Sequence, residues 1–283
     1  MKRLRIVHTT AISYDGEVST SYNEARMLPV GTERQLVLSA QLDVRPAAHQ
    51  ASYLDYWGTR VTAFDVLSPH REITIAATSL VEVSAGSGLA GLEDVGWQAV
   101  RDRAAGSMTA AEHSGQTRRT EPTEEILELA AEAVAVTTTP DEAALEICHR
   151  VGSAMEYLQG VTGVHSTAAE AWAERRGVCQ DIAHVAVGAL RGVGIPARYV
   201  SGYMHPQLEP EVGTAVRGES HAWVEWLTEG WRSFDPTNLC PVGDRHVLVA
   251  RGRDYDDVAP FRGVYAGPDA SRMEVTVEIT RER

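Results

Sequence analysis

The segment that decides the fold is residues 177–184, of sequence GVCQDIAH, which runs on to Arg191. It is typical of a loop that turns into a buried helix, because apolar residues recur after it at three- and four-residue spacing. These residues are Ile182, Val185, Ala186 and Ala189. Cys179 falls in the first helical turn, where backbone N–H groups lack helical partners and the positive end of the helix dipole lies. Cysteines in such places can titrate at roughly 3.5–7.5 instead of about 8.5, so the segment predicts a reactive thiol.

Two neighbours of Cys179 bear on this prediction. Asp181 suits the first turn of a helix, but its negative charge opposes formation of the thiolate. Gly177 follows a predicted helix over residues 167–176, in the position that a glycine C-cap prefers. The alternative interpretation of Cys179 is a small buried hydrophobic residue without a chemical role.

The composition is that of a folded, water-soluble protein. Its 283 residues are 43% hydrophobic and 23% charged, which is enough apolar material for one large domain or two smaller ones. The net charge of −13 argues against binding to nucleic acid or to an anionic membrane surface. No apolar run approaches the roughly 18 residues of a membrane span, and residues 1–14 do not have the pattern of a secretory signal.

The three cysteines, Cys148, Cys179 and Cys240, lie too far apart in the sequence to indicate a disulfide framework. Their sparse, odd number suits a reducing compartment, so we predict a cytoplasmic protein. Cys148 lies inside a predicted helix, where core packing explains it. Cys240 follows the loop at residues 236–238 with no base nearby, which indicates a spare thiol.

Residues 1–90 predict an N-terminal antiparallel β-sandwich domain. Alternating residues over 4–14 predict a strand that ends in a turn at Asp15-Gly16, a hairpin signal. Further strands are predicted at residues 21–28, 35–44, 52–57, 60–66 and 72–83. We predict that residues 91–122 form a connecting segment. Residues 123–283 are predicted to form a core domain with closing strands.

The sequence pattern of the core domain predicts helices packed on an antiparallel sheet. The predicted fold class is therefore α+β. The helices are predicted at about residues 123–136, 140–157, 167–176 and 179–191. The strands are predicted at residues 196–204, in a hairpin over 221–235, and at 262–265 and 273–280.

The predicted hairpin carries two further candidate residues. A turn centred near residue 228 places His221 opposite Asp235, and the Cβ atoms of opposed residues lie about 4.5–5.5 Å apart. A bulge at Gly230 would shift this register by one residue. In the unshifted register, Asp235 accepts a hydrogen bond from one ring nitrogen of His221, and the other nitrogen faces a nucleophile.

Cys179, His221 and Asp235 would then supply the nucleophile, base and orienting acid of thiol catalysis. The backbone N–H of Cys179 is the natural first donor to an oxyanion. Candidates for the second donor are Gln180, Trp172 and Tyr203. The alternative is structural, because a histidine opposite an aspartate is often only a hydrogen bond, and the tryptophans of the hairpin would pack a sheet without any catalysis.

We expect no metal site and no cofactor. His184 follows Cys179 by five residues, so their side chains diverge by about 140° on a helix, and His184 is neither the base nor a shared ligand. The other histidines lack the spacing of metal ligands. The chain also has no Cys-x-x-Cys, no His-Glu-x-x-His and no Asp-rich calcium loop.

Several motifs, in the right order, resemble the transglutaminase-like superfamily, specifically the bacterial transglutaminase-like cysteine proteases. They are GVCQD at 177–181, GIPARYVSGY at 194–203, HAWVE at 221–225 and FDPTN at 234–238. SYNEAR at 21–26 and GRDYDDV at 252–258 also resemble this family, so the resemblance covers nearly the whole chain.

The resemblance implies a papain-like or transglutaminase-like core with Cys179 as nucleophile, His221 as base and Asp235 as orienting acid. It also implies action on amide bonds, as a peptidase, an amidase or a transglutaminase. We therefore predict acyl transfer from a peptide or protein amide through a thioester on Cys179. The alternative is a non-catalytic module that keeps this fold and binds a peptide or protein.

Overall fold

The computed structural model describes residues 1–86, 88–89, 94–160, 163, 165–268 and 271–283. The strands in this part of the chain are β1 (Lys2–Val18), β2 (Thr20–Ala25), β3 (Gln35–Arg45), β4 (His49–Leu54), β5 (Arg60–Val66), β6 (His70–Val83), β7 (Glu156–Tyr157), β8 (Arg176–Gly177), β9 (Ala197–Met204), β10 (Ala215–Leu227), β11 (Trp231–Asp235), β12 (Cys240–Pro241), β13 (His246–Gly252), β14 (Phe261–Ala266) and β15 (Ser271–Arg281). The helices are α1 (Trp97–Gly106), α2 (Met108–Glu112), α3 (Glu124–Ala135), α4 (Pro140–Ala154), α5 (Ala168–Glu174), α6 (Cys179–Gly192) and α7 (Tyr255–Val258). Among the described residues, no helix combines the length and the apolar character needed to span a membrane.

The four helices predicted for the core domain are present as α3, α4, α5 and α6, and capping residues explain where they start. At the start of α3, the side chain of Thr123 accepts a hydrogen bond from the backbone N–H of Ile126. At the start of α4, Thr139 and Glu142 bond each other's backbone N–H groups in a capping box. Helix α4 ends at Ala154, earlier than predicted.

The prediction that Gly177 caps the preceding helix is wrong. Helix α5 ends at Glu174, and the left-handed residue after it is Arg175, with a φ of 53°. Glycine is needed at position 177 for a different reason, because a Cβ atom there would lie 2.6 Å from the Oδ2 atom of Asp181. The absence of a side chain therefore lets the Asp181 carboxylate approach the loop before α6.

One antiparallel sheet of nine described strands joins the N-terminal strands to the core domain. Its main path has the order β12-β11-β10-β15-β1-β6-β3, and β9 pairs with both β10 and β13. The final strand, β15, lies between β1 and β10 and connects the two halves. In this register Val275 faces Thr10 of β1, and Val277 faces Gly218 of β10.

A second sheet completes the predicted N-terminal sandwich. It has the order β14-β2-β5-β4, and its pairs are antiparallel. An apolar core that includes Val18, Phe64, Ile73 and Ile75 lies between the two sheets. The predicted fold class is confirmed: an antiparallel β region is followed by helices packed on an antiparallel sheet.

The division into residues 1–90, 91–122 and 123–283 stays a prediction. Both closing strands pair with N-terminal strands, since β14 lies beside β2 and β15 beside β1. The predicted connecting segment contains the helices α1 and α2. Its residues 91–93 lie outside the described part of the chain.

The predicted turn at Asp15-Gly16 is wrong. Strand β1 continues to Val18 and pairs with β6 on both sides of a register irregularity that follows Ser13. Buried and exposed residues keep alternating from Ile12 to Val18. A continuous strand therefore buries both ends of this segment in the sandwich core, which a turn at Gly16 would not do.

Helix α6 lies at the centre of the main apolar core. Every residue from Gln180 to Arg191 is buried, against α3, α4 and α5 on the helical side and β9 and β10 on the sheet side. At Gly188 a Cβ atom would lie 2.1 Å from the carbonyl oxygen of Thr120, so the chain before α3 packs directly on the helix. The first residue of the helix, Cys179, remains partly exposed and lines a cleft.

Candidate active site

The turn that presents Cys179 is fixed by Asp181. The Asp181 carboxylate accepts a hydrogen bond of 2.8 Å from the backbone N–H of Val178, and Asp181 is buried. Such a bond satisfies one of the N–H groups that a helix start leaves without a partner. Asp181 therefore has the structural role that its place in the first turn indicates.

The structure brings the three predicted side chains together. The Nε2 atom of His221 lies 2.7 Å from the Oδ2 atom of Asp235, and His221 and Cys179 line the same cavity. The sulfur atom also lies 4.0 Å from the carbonyl oxygen of Ser220. The imidazole thus lies between the thiol and the carboxylate. In this order the imidazole can take the thiol proton as a base, and the carboxylate can orient the imidazole.

The predicted register of the hairpin is wrong, although the contact predicted from it is present. Leu227 pairs with Trp231, so the turn contains three residues and is centred at residue 229. His221 therefore reaches Asp235 diagonally and not from the directly opposite position. Diagonal neighbours on one face of a sheet lie within reach of aromatic and long side chains.

Mutual stabilisation of charge dominates the electrostatics of this buried pair. Burial lowers the pKa of His221, but the hydrogen bonds to Asp235 and Cys179 outweigh burial and raise the pKa to about 10. Burial raises the pKa of Asp235, but the hydrogen bonds from His221 and His246 outweigh it and hold this pKa well below its usual range. At neutral pH the pair is therefore an imidazolium and a carboxylate.

This pair predicts a loss of stability at alkaline pH. A group whose pKa is raised by folding contributes stability that is complete below its unfolded pKa of 6.5 and is lost as the pH rises through about 10. Between these pH values we expect the free energy of unfolding of the wild type to fall by about 4 kcal/mol more than that of His221→Ala. Urea titrations of both proteins across this range measure the difference, and parallel slopes would contradict the assignment.

More donors hold Asp235 than the sequence predicted. Its Oδ1 atom accepts hydrogen bonds from the backbone N–H groups of Thr237, at 3.0 Å, and Asn238, at 3.1 Å. Besides His221, its Oδ2 atom accepts hydrogen bonds from the side-chain amide of Asn238, at 2.8 Å, and from Nε2 of His246, at 3.2 Å. These donors fix the direction of a carboxylate that is fully buried.

Sequence reasoning missed His246. Its Nδ1 atom accepts a hydrogen bond of 3.2 Å from the backbone N–H of Gly243, so the proton is on Nε2 and is donated to Asp235. Burial lowers the pKa of His246, which keeps the ring neutral. The residue lies on β13, a strand that the sequence pattern did not reveal, whereas Asn238 belongs to the FDPTN motif and could have been found there.

Among the described residues, His221, Asp235 and His246 form a group that could hold a metal ion, with ligand atoms within 4.8 Å of one another. The separations of 2.7 and 3.2 Å between the carboxylate and the two rings are those of hydrogen bonds. A tetrahedral zinc ion with bonds of about 2.0 Å would hold two ligand atoms about 3.3 Å apart. The His221–Asp235 distance therefore fits a shared proton better than an ion.

Two adjoining cavities open at the candidate triad. The cysteine-side cavity has a volume of about 430 Å³, and its lining includes His8, Met27, Cys179, Tyr199, Val275 and Val277. The histidine-side cavity has a volume of about 370 Å³, and its lining includes Met204, Pro206, His221, Thr237 and Asn238. His221 lines both cavities. The groups on the two sides of an amide bond held at the thiol therefore each have room, one on either side of the imidazole.

A hydrogen-bonded group of side chains lies where the two cavities meet. Tyr157 and Glu219 line both cavities, and the Tyr157 hydroxyl donates to the Glu219 carboxylate at 3.0 Å. The amide of Gln159 donates to the second carboxylate oxygen at 2.6 Å. Both oxygens of Glu219 therefore have a donor.

Two of the three candidates for the second oxyanion donor are engaged elsewhere. The indole N–H of Trp172 donates to the Glu125 carboxylate at 3.1 Å, and the hydroxyl of Tyr203 donates to the carbonyl oxygen of Met27 at 2.9 Å. Gln180 lines the cysteine-side cavity. Its position beside the thiol makes Gln180 the better placed of the three.

The other residues that the sequence singled out have different surroundings. His184 is buried inside α6, and its Nε2 atom accepts a hydrogen bond of 3.1 Å from the backbone N–H of Tyr255. Burial raises the pKa of the Cys148 thiol in the main core and that of the half-buried Cys240 thiol on β12. Neither thiol has the helix start and imidazole that surround Cys179.

The chain matches two known protein families over separate segments. Residues 4–82 match the bacterial transglutaminase-like N-terminal region, and residues 127–236 match the transglutaminase-like superfamily. The chain belongs to the transglutaminase-like superfamily and carries the N-terminal region of its bacterial members.

Individual proteins show the same relationship. An uncharacterized protein of Mycobacterium leprae is 38% identical over 99% of this chain and 99% of its own length. A protein-glutamine gamma-glutamyltransferase of Pseudomonas aeruginosa is 43% identical over 67 residues, which are 22% of this chain and 10% of that protein. The solved structure of "a Putative Cysteine Protease from Cytophaga hutchinsonii" shares the fold, with a TM-score of 0.78 and 22% identity over 99% of this chain and 90% of that one. Membership of the transglutaminase-like superfamily supports the general type of chemistry, thiol-dependent acyl transfer.

Proposed function

We propose that this protein is a cysteine enzyme that transfers the acyl group of a peptide or side-chain amide through a thioester. Cys179 is the nucleophile, His221 is the base and Asp235 is the orienting acid. The observation that carries the proposal is that Cys179 and His221 line one cavity, while the Nε2 atom of His221 lies 2.7 Å from the Asp235 carboxylate. Family membership and the names of two similar proteins, a cysteine protease and a protein-glutamine gamma-glutamyltransferase, support it further.

In the proposed reaction the sulfur of Cys179 attacks the carbonyl carbon of the amide while His221 holds the thiol proton. The carbonyl oxygen becomes an oxyanion, which the backbone N–H of Cys179 at the start of α6 stabilises. His221 then gives the proton to the amide nitrogen as the C–N bond breaks, and the amine departs. Water or a second amine, deprotonated by His221, attacks the thioester and releases the acyl product and the thiol.

Asp235 prepares His221 for both proton transfers. It holds the ring at Nε2, so the Nδ1 atom is the one that faces the thiol. The carboxylate keeps its charge because backbone N–H groups, Asn238 and His246 all donate to it. It can therefore stabilise the imidazolium that forms when the thiol is deprotonated.

The test is the capture of the thioester. The protein is mixed with a panel of short peptides, some with blocked termini and some with glutamine side chains, and the intact mass is measured after an acid quench. Addition of a small primary amine then identifies the acceptor. An acyl product that stays a free acid identifies a peptidase or amidase, whereas an amide of the added amine identifies a transglutaminase.

A further inference from the structure

One wall of the cysteine-side cavity is formed by strands β1 and β15. On β1 this wall contains His8 and Thr10, and on β15 it contains Met273, Val275 and Val277. Val277 pairs with His8 and Val275 with Thr10, so these side chains stand on one face of the sheet. The N-terminal β region and the last strand therefore shape the space beside the nucleophile.

The β15 part of this wall is apolar and open. Met273 is 55% exposed and Val275 is 43% exposed, although both lie on the cavity side of the strand. Their neighbours on the opposite face are Glu274 and Thr276, as expected for a strand that has one face in water. Apolar side chains thus stay uncovered where they face the cleft.

The polar groups in the same wall have no free donor to offer. The hydroxyl of Tyr203 donates to the Met27 carbonyl at 2.9 Å, so the Nδ1 atom of His8, 2.8 Å away, must donate to that hydroxyl. The Nε2 atom of His8 is then an acceptor, and the hydroxyl of Thr10 donates to it at 3.3 Å. Burial lowers the pKa of His8 to about 4, so the ring is neutral. This chain of hydrogen bonds is complete within the protein.

Fixed charge in the described lining is confined to β10. Apart from His221 of the candidate triad, the charged residues are Arg217 and Glu219. Both oxygens of Glu219 already accept hydrogen bonds, from Tyr157 and Gln159. A charged group bound against the β15 wall would lose water, and β15 itself contributes no charged residue to the described lining.

Resting on the proposed function, we infer that the cysteine-side cavity binds an uncharged apolar side chain of the acyl donor, and that the β15 wall selects it. Cys179 lines this cavity, so the occupant belongs to the group whose carbonyl the sulfur attacks. A volume of about 430 Å³ lies within the range of small-molecule sites and has room for an aromatic or a long aliphatic side chain.

Three chloroacetamides that label Cys179 test this inference. The probes are chloroacetamide, its N-benzyl derivative and the 4-carboxybenzyl analogue, each with its rate divided by its rate with free cysteine. We expect the benzyl probe to react about tenfold faster than chloroacetamide, since burial of an apolar ring stabilises the reacting complex. The carboxylated analogue should react no faster than chloroacetamide.

Matched variants on β15 assign the effect to the wall. Val275→Asp places a charge in the cavity and should remove the advantage of the benzyl probe, measured as its rate relative to the chloroacetamide rate of the same variant. Thr276→Asp places the same charge on the opposite face and should preserve the advantage. Val275→Thr keeps the shape of the side chain and its preference for a strand, and it should reduce the advantage of the benzyl probe about threefold. This variant tests the wall even if Val275→Asp does not fold.

The outcomes separate this inference from the proposed function. A fast chloroacetamide reaction with equal normalised rates for all probes would overturn the inference alone. Equal losses of benzyl selectivity in Val275→Asp and Thr276→Asp would also overturn it. Labelling by every probe at the rate of free cysteine would refute the proposed function and this inference with it.

Discussion

His221→Ala is expected to slow the reaction of Cys179 with iodoacetamide about a hundredfold at neutral pH, the low end of what a positioned base contributes. In the wild type the imidazole lines the same cavity as the thiol. Burial lowers the pKa of the imidazole, but Asp235 and Cys179 raise it to about 10, so the ring can hold the thiol proton. Alanine leaves the sulfur at the start of α6 with no base. Only the backbone N–H groups at the start of α6 would then remain beside the sulfur.

The second-order rate constant of labelling measures this effect, with peptide masses to separate Cys179 from Cys240. His205→Ala is a matched control, because His205 is also a buried histidine and its ring accepts a hydrogen bond from the backbone N–H of Gln207. We expect the control to label like the wild type. A wild-type thiol as slow as free cysteine, and unaffected by His221→Ala, would favour the non-catalytic binding module.

Asp235→Asn is expected to lower the free energy of unfolding by about 3–5 kcal/mol, the loss typical of a broken buried charge pair. Both oxygens of the native carboxylate face donors, two backbone N–H groups at Oδ1 and three side-chain N–H groups at Oδ2. The amide group of an asparagine must therefore point its own N–H₂ at one of these sets. At least two donors would meet a donor in place of an acceptor.

The same substitution is expected to slow labelling of Cys179 almost as much as His221→Ala, because the ring loses the carboxylate that orients it. Glu132→Gln is the control for stability, since Glu132 pairs with Arg150 at 3.1 Å on the surface and should lose only about 1 kcal/mol or less. Urea denaturation measures both variants. A loss below about 1 kcal/mol for Asp235→Asn would mean that the buried network does not stabilise the fold as described.

Features that depend on nearby residues could be predicted from the sequence. The apolar spacing after Cys179 predicts α6, and Thr123, Thr139 and Pro140 mark where α3 and α4 begin. In these cases the residues that decide the structure lie within one or two helical turns of one another. The motifs around His221 and Asp235 were equally informative about which side chains meet.

Features that depend on distant pairing could not be predicted. Strand β15 lies between β1 and β10, and β13, which carries His246, pairs with β9. Pairing between distant strands is decided by the packing of the whole sheet, and a single sequence gives little sign of it. For this reason the second imidazole on Asp235 and the β15 wall of the cleft emerged only from the structure.

Small local choices also escaped prediction where tertiary contacts decided them. The turn of the β10–β11 hairpin takes three residues, which moves the position opposite His221 away from Asp235. Gly177 serves the contact with Asp181, and Arg175 takes the left-handed position after α5 in its place. In each case the residue type was informative, but its partner was not visible in the sequence.

We propose that the Cys179 sulfur, the His221 ring and the Asp235 carboxylate act together in acyl transfer. The most direct measurement is the intact mass of the protein after mixing with the peptide panel and quenching in acid. We expect an acyl adduct on Cys179 of the wild type that disappears in Cys179→Ala and is strongly reduced in His221→Ala. No adduct with any amide, or an adduct of equal yield in His221→Ala, would contradict it.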